Sequence, residues 1–597
     1  MAPGGYFGRA LVVDVTDGST SVLPLPDDVL RDYLGGVGLG TWLLDQLTPD
    51  GADPLGTSAP LAFVFSPLVG TPLTTSAKFA VVATSPLTGL LTDALASSHF
   101  ALAGKFTGHD ALVITGKADT LTTVLITDDG VRLEDAEELR GLSAADAEDA
   151  VRERYGRRWR AAAIGPAGEN LVRYATISHD GRHAGRGGLG AVLGGKNVKC
   201  VAVQGGARVR LADRDAVLAA AKDLRQRSFG PATAKYRELG TLANLLAFNA
   251  ISTLPTRNFQ AATFAEAPAL SAEDLAGSRS TVKTGCASCS IGCEHIYAST
   301  KGTKVRVEYE NVFALGPLCG VSDPDDVLEA SARCDALGLD TISAGGTIAW
   351  AMECAANGLL DVPWLRFGDG AALLRALDEI GARTGIGDLL AEGSRRAADV
   401  VGQGSAAFAP HVKGMELPGY DPRTMQAMAL GLAVNARGAD HNRSGAYEAD
   451  LSGRLDRLNG SRDHVLAAIE TEDRAAVMDS MILCKFLRGV FDDPLTEWAA
   501  LLSPVTGWAV TGTELRATAK RIVLAKRAFN RRVGWTPGDD WLPARFLDDA
   551  VEVASGRSAA LSPERLRTMI DIYYAERGLD PEGLPACEAA KRTEQQP

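Results

Sequence analysis

Gly285-Cys286-Ala-Ser-Cys289-Ser-Ile-Gly-Cys293 puts three cysteines within eight residues of a 597-residue chain that holds nine. The others, Cys200, Cys319, Cys334, Cys354, Cys484 and Cys587, are scattered. An odd total at this density excludes a disulfide scaffold and favours a soft-metal site. Thiolates spaced C-x2-C-x3-C can bend around one soft centre. Zinc sites usually pair two C-x2-C units, and only three cysteines are local here. A [4Fe–4S] cubane with a distant fourth ligand therefore fits better; zinc and plain structural cysteines stay as alternatives. The radical-SAM motif has the reverse spacing. Among fourth-ligand candidates, Cys484 stands beside polar residues in Asp479-Ser-Met-Ile-Leu-Cys484-Lys485-Phe486, whereas Cys334 and Cys354 sit in apolar helical text.

Upstream of this loop, residues 1–206 read mostly as short strands. Ala10-Leu-Val-Val13, Leu61-Ala-Phe-Val-Phe65, Phe79-Ala-Val-Val82 and Ala111-Leu-Val-Ile114 are apolar runs bounded by Gly, Pro, Asp and Ser. Beyond residue 208 the periodicity turns helical, over 213–227, 326–337, 371–384 and 513–532. The expected fold is α+β: a β-rich domain over 1–206, then two mainly helical domains over 207–414 and 415–597. Gly414 to Gly419 offers the internal boundary, and the last ten residues read as a solvated tail. No repeat of solenoid period is present.

The formal charge is −13 and the pI about 5.3, which argues against nucleic acid, since phosphate contacts need a basic surface. No apolar run reaches the ~20 residues that span a bilayer. The N-terminus lacks a basic n-region, and its apolar run stops at Asp14. The expectation is a cytoplasmic protein with no membrane or nucleic-acid partner.

Two further patterns bear on ligands. Gly190-Ala-Val-Leu-Gly-Gly-Lys196 opens like a phosphate loop, but Asn197 stands where a magnesium-binding Ser or Thr is needed, so ATP is set aside. The other glycine runs fail the dinucleotide spacing. Arg182-His-Ala-Gly-Arg186-Gly-Gly188-Leu-Gly190 can still turn backbone N–H groups toward an anion, or be a plain tight turn. In addition, Asp335-Ala-Leu-Gly-Leu-Asp340 and Asp479-Ser-Met-Ile-Leu-Cys484 share the frame D-x-x-x-L-[D/C]. They are two equivalent ligand loops or two ordinary helix ends.

Together these motifs resemble the tungsten-containing aldehyde:ferredoxin oxidoreductases over residues 5–580. The likeness takes in Ser85-Pro-Leu-Thr-Gly89, the 188–197 glycine run, Leu254-Pro-Thr-Arg-Asn258, the cysteine loop, Glu308-Tyr-Glu310 and both D-x-x-x-L frames. It continues through Gly385-Ile-Gly-Asp-Leu-Leu-Ala-Glu-Gly393, Lys413-Gly-Met-Glu-Leu-Pro-Gly-Tyr-Asp-Pro-Arg423 and Arg437-Gly-x-x-His441. The resemblance implies a tungstopterin, two pterins to one tungsten, with molybdenum as the alternative metal and no side-chain ligand. It implies Asp335, Asp340 and Asp479 on pterin N–H groups and Cys484 as fourth ligand of a [4Fe–4S] cluster with Cys286, Cys289 and Cys293. The loop holding Arg182, Arg186, Gly188 and Gly190 would face the pterin phosphates. Glu310 is the implied general base, with Glu308 as fallback, and His441 the hydrogen-bond donor to the carbonyl. An aldehyde would be oxidised to a carboxylate and electrons passed to ferredoxin; a homodimer is a further expectation.

The departures are specific. Lys78 replaces the Arg usual before the first pterin-facing strand, and a point charge replaces a planar fork. Ser97-Ser98-His99 replaces a Gly-Gly pair, which bears on the magnesium ion expected between pterin phosphates. Ile482 stands where glycine is usual, and the Glu/His pairs of an intersubunit iron site are missing. The alternatives are a relative reducing another substrate, such as an aryl-CoA thioester, and a non-catalytic electron-transfer subunit. Arg516, Lys520, Arg527 and Arg531 form a basic helix stripe, read as a solvated or interdomain face, with ferredoxin docking as the second reading.

Overall fold

The computed structural model describes residues 2–585 apart from Ser555; the expected C-terminal tail and Cys587 lie outside the described residues. Two six-stranded sheets form the N-terminal part. The first runs Thr20–Pro24, Arg9–Asp14, Ala111–Thr115, Leu61–Val64, Lys78–Thr84, Leu91–Ser97 from edge to edge. The second runs Arg182–Ala184, Ile177–His179, Arg160–Ala163, Val198–Gln204, Thr122–Thr127, Val131–Asp135. Each is antiparallel except for one parallel pairing, Ala10 beside Ala111 and Val201 beside Val124.

Strand alternation sets the layers. Leu11, Val13, Phe63, Phe79 and Val81 share one core with Val124, Ile126, Val201 and Val203 of the other sheet. The intervening Ala10, Ala62, Val64, Ala80 and Val82 pack against helix Gly36–Leu47. On the far side, Leu125, Ala161, Cys200 and Ala202 pack against helix Ala144–Tyr155. The order is helix, sheet, sheet, helix. These two helices escape a reading of the first 206 residues as mostly strands. Gly36–Leu47 opens G-V-G-L-G, weak helix text. Its Gly36 (φ +42°) is required, because a Cβ there would fall on Asp479 O and Ile482.

The predicted helices form with boundaries shifted by a few residues: Arg214–Ser228, Pro324–Leu337, Gly370–Ala382 and Gly512–Arg532. Asp213, Asp323, Asp369 and Thr511 cap them by accepting backbone N–H groups. The third ends on left-handed Arg383, before Gly385. Gly414 to Gly419 is not an exposed linker. Residues 412–435 are buried throughout, and one apolar core joins Leu328 and Leu377 before them to Val465 and Leu566 after. Lys196, the would-be phosphate-loop lysine, is buried against the carbonyls of Gly56, Thr57 and Gly116. Among the described residues no helix is long and apolar enough to cross a membrane.

Candidate functional site

Cys286, Cys289 and Cys293 lie between strands Thr281–Thr284 and Glu294–Ala298. Cys289 N–H closes a turn on Cys286 O at 3.2 Å. A short segment ties this loop to Cys484. Thr75 N–H donates to Ser288 O at 2.7 Å, Ser290 N–H to Thr74 Oγ1 at 2.9 Å, and Cys484 N–H to Thr75 Oγ1 at 3.4 Å. Cys289, Cys293 and Cys484 pack against the same apolar core, while Cys334 and Cys354 are fully buried elsewhere. Among the described residues no three His, Cys, Asp or Glu side chains close around one metal ion. The four cysteines are nonetheless near enough to act on one another electrostatically. Burial raises the thiols of Cys289 and Cys293, and both also feel Cys484. Lys78 is partly buried near all four: desolvation opposes its charge, but Cys484, Cys286, Cys289 and Cys293 together hold its pKa raised. Arg182 is likewise desolvated yet held raised, by Cys286, Glu308, Cys293 and Cys484.

The two D-x-x-x-L frames share one backbone shape. Helix Pro324–Leu337 ends on Gly338 (φ +77°), and Leu339 N–H returns to Cys334 O at 2.9 Å. Helix Arg462–Met481 ends on Ile482 (φ +63°), and Leu483 N–H returns to Met478 O at 2.9 Å. They are thus helix ends, and of one kind. Each meets a glycine from the sheet domain, since a Cβ on Gly165 would strike Leu337 O as one on Gly36 would strike Asp479 O.

The predicted carboxylates all find basic side chains. Asp335 Oδ1 is 3.2 Å from His183 Nε2, and Asp340 Oδ2 is 3.2 Å from Arg186 Nε. Asp479 lies 3.1 Å from Arg443 and 2.8 Å from Lys485, yet neither oxygen has a well-aligned donor. Burial lowers Lys485 to about 8, partly offset by Asp479. Gly190 corrects the anion-loop expectation: its N–H is committed to Ala175 O at 2.9 Å, and Gly188 (φ +75°) backs onto Arg173 O. These glycines serve close packing, so the cationic part of that loop is Arg182 and Arg186.

Buried polar atoms without a hydrogen-bond partner collect along this tract. They include Arg182 Nε, Arg306 Nε, both nitrogens of His179, both Asp479 oxygens and Arg437 Nε. Each left so costs about 1–3 kcal/mol. A cavity beside Asp479 is lined by Arg443, Glu472, Lys526 and Arg527. The residues present fit a polar, phosphate-bearing cofactor.

Glu310 opens helix Tyr309–Leu315, where Gly419 N–H donates to its Oε2 at 3.0 Å. Its Oε1 is 3.5 Å from His441 Nε2, on the first turn after Asp440. Burial raises the Glu310 carboxyl to about 8; the Gly419 hydrogen bond and Arg186 oppose this, and Asp440 and Asp340 add to it. Burial lowers His441 to about 3, against Asp440 and aided by Arg186, Arg488 and Arg437. Asn442 Nδ2–H donates to His441 Nε2 at 2.9 Å, which leaves the ring proton on Nδ1, buried and unpartnered. Tyr420 stacks on Tyr447 (5.2 Å between centroids) and lies 5.3 Å from the His441 ring. Glu308, the fallback base, is half exposed, caps the helix and pairs with Arg182, away from His441.

Sequence reasoning missed the charge network behind the pair. Asp93 is fully buried and holds Arg443, Arg437 and Lys526, while Asp440 holds Arg437 at 2.9 Å. Asp440 was within reach, one residue before His441 in a quoted motif. Asp93 stands in an ordinary apolar strand and carries no local signal. Ser98 caps helix His99–Lys105 through Phe100 N–H, which gives the unusual Ser97-Ser98 pair a structural task.

Comparison with known proteins agrees with this layout. Family models described as the aldehyde ferredoxin oxidoreductase N-terminal domain and its domains 2 & 3 match residues 10–205 and 219–594. The chain is 34% identical over 594 residues to the tungsten-containing aldehyde ferredoxin oxidoreductase of Pyrococcus furiosus, covering 97% of each chain. It is 34% identical over 602 residues to that of Thermococcus kodakarensis, covering 98% of each. Its fold is similar to the active site complex BamBC of benzoyl coenzyme A reductase in complex with 1,5 dienoyl-CoA: TM-score 0.81, 23% identity, 99% of this chain and 97% of that one. With both family models matched across nearly its whole length, the chain belongs to the aldehyde ferredoxin oxidoreductase family.

Proposed function

We propose that this protein oxidises an aldehyde to a carboxylate at a tungsten centre held by two pterins. Electrons leave singly through a [4Fe–4S] cluster on Cys286, Cys289, Cys293 and Cys484 to a ferredoxin-like carrier. The observation that carries this reading is the Glu310–His441 pair, 3.5 Å apart, with one buried unpartnered atom on each partner. Asp335, Asp340 and Asp479 would hold the pterins, Arg182 and Arg186 their phosphates, with or without magnesium, and Lys78 would stand between cluster and pterin. When bound, the metal supplies a two-electron acceptor and the cluster divides the pair.

The side chains handle protons. The net change, RCHO + H2O → RCOO⁻ + 3H⁺ + 2e⁻, needs a base to take a proton from water and a donor to polarise the carbonyl. Glu310 is the base, active in its carboxylate form, which a pKa of about 8 makes the minority near neutrality. His441 stays neutral and offers its Nδ1–H to the carbonyl oxygen. Tyr420 and Tyr447 put aromatic faces beside the His441 ring and would limit water there. Reduced thiols at all eight described cysteines suit the cytoplasm.

Metal analysis of anaerobically purified protein, followed by an aldehyde panel with a viologen dye, tests the reading. About one tungsten or molybdenum and about four irons per chain, with dye reduction, are expected. Iron without either metal, or no turnover of any aldehyde by fully loaded protein, would overturn it.

A further inference from the structure

We propose that one exposed stripe of helix Arg214–Ser228 is the docking surface for a small acidic one-electron carrier, which rests on the cluster assignment above. Val217, Ala221, Leu224 and Ser228 are the buried face of this helix. On another face, Arg214, Leu218, Lys222 and Arg225 recur at helical spacing, and Phe229 follows one residue past the helix end; all five are exposed. Leu218 is 45% and Phe229 62% exposed, unusual for large apolar side chains. Asp223 points elsewhere, paired with Arg227, which also holds Glu497 at 2.7 Å. Asp215, in the first turn, is the acidic neighbour at the end of the helix remote from the cysteines.

The other end reaches the cysteine loop. Ser228 Oγ lies 2.8 Å from Ser290 Oγ, next to Cys289, and Gly285 and Ser288 of that loop are themselves exposed. The Arg237 guanidinium sits 4.4 Å over the Phe229 ring. Lys283, exposed on the strand that leads into the loop, donates to Glu238 O at 2.9 Å. Apolar Leu218 and Phe229 thus share a stripe with Lys222 and Arg225, Arg237 covers the Phe229 ring, and Lys283 stands on the adjoining strand, with Asp215, Asp223 and exposed Glu238 as the acidic neighbours. Apolar contact within a mainly basic rim fits a partner of the opposite sign, and steers its approach. Electron tunnelling falls steeply with distance, and a carrier seated here would lie beside the loop whose cysteines would hold the cluster.

The test uses loaded enzyme and stopped-flow reduction of its cluster by a reduced acidic [2Fe–2S] ferredoxin or by reduced viologen, neither of which needs an aldehyde. Lys222→Glu with Arg225→Glu, and separately Phe229→Ser, should lower the ferredoxin rate constant about tenfold at low salt. The viologen rate should stay within about twofold, and salt should erase the charge-reversal effect. Arg157→Glu with Arg158→Glu, exposed near the second sheet, should leave both rates unchanged. An unchanged ferredoxin rate, an equal fall in the Arg157/Arg158 control, or a fall with viologen as well would overturn the proposal. So would conversion of a wild-type dimer to monomer by the stripe variants, which would assign the surface to a second copy of this chain. Failure of aldehyde turnover would sink the proposed reaction and leave this measurement intact.

Discussion

Glu310 Oε1 and His441 Nε2 stand 3.5 Å apart, and the same burial drives their proton affinities in opposite directions, the carboxyl up to about 8 and the imidazole down to about 3. A base must be deprotonated to act, so kcat should rise with pH through about 8. No histidine limb should interrupt the profile between pH 5 and 8, because His441 is already neutral there. Glu310→Gln keeps the shape, and should lower kcat by ~10²–10⁴-fold and abolish the alkaline rise. His441→Asn should cost on the order of 10²-fold, and the double variant should lose less than the product. Tungsten content and the cluster spectrum should not change. Normal kcat with an unaltered pH profile in Glu310→Gln would remove it as the base.

Cys484 is joined to the cysteine loop through Thr75, which donates to Ser288 O and accepts from Cys484 N–H. Cys484→Ala should therefore abolish or convert the [4Fe–4S] signal as severely as Cys289→Ala. Electron paramagnetic resonance and iron content of the two variants decide it. An intact cubane spectrum in Cys484→Ala would refute the fourth-ligand assignment.

Lys78 is a partly buried cation in the field of four thiols. Positive charge favours the reduced cluster, so Lys78→Met should lower the midpoint potential by about 60 mV, a tenfold change in a one-electron equilibrium. Lys78→Arg should restore most of it. A potentiometric titration that finds no difference between Lys78→Met and wild type would place the charge elsewhere.

Arg527 is 4% exposed, with Asp540 2.8 Å away and Tyr574 beside it, which excludes a docking role for that end of the basic helix. Its partners Val434, Asp540 and Tyr574 all lie within residues 415–597, so Arg527 packs inside that helical part and faces neither solvent nor another domain. Arg527→Glu leaves Asp540 with Lys413 as its one cation and buries a second carboxylate beside it, so it should cost about 3–5 kcal/mol of stability. Exposed Arg516→Glu should change stability by less than ~0.5 kcal/mol. Thermal melts of both check this; equal melting temperatures would contradict the burial.

Legibility followed the range of the interaction. Cys286, Cys289 and Cys293 stand out as candidates because their spacing is local, and Cys484 because polar residues surround it in the sequence. The strands could be read from alternation, yet helix Gly36–Leu47 could not, since its glycines answer to Asp479 O and Ser480, more than 400 residues away. Asp93 was invisible for the same reason: three cations from distant segments give it meaning. The basic stripe of Gly512–Arg532 misled because periodicity shows which residues share a face and is silent on what covers it.

The bridge made by Thr74 and Thr75 also sets an order of events during synthesis. The three segments it joins leave the ribosome far apart in time, Cys484 coming 191 residues after Cys293. A nascent chain can form its sheet domain early, but until Cys484 emerges it can offer only three thiols to iron. With Cys484 as the proposed fourth ligand, cluster insertion would be a quality check on the finished polypeptide: a product that stalls before residue 484 would lack the last thiol, however well its first sheets have folded.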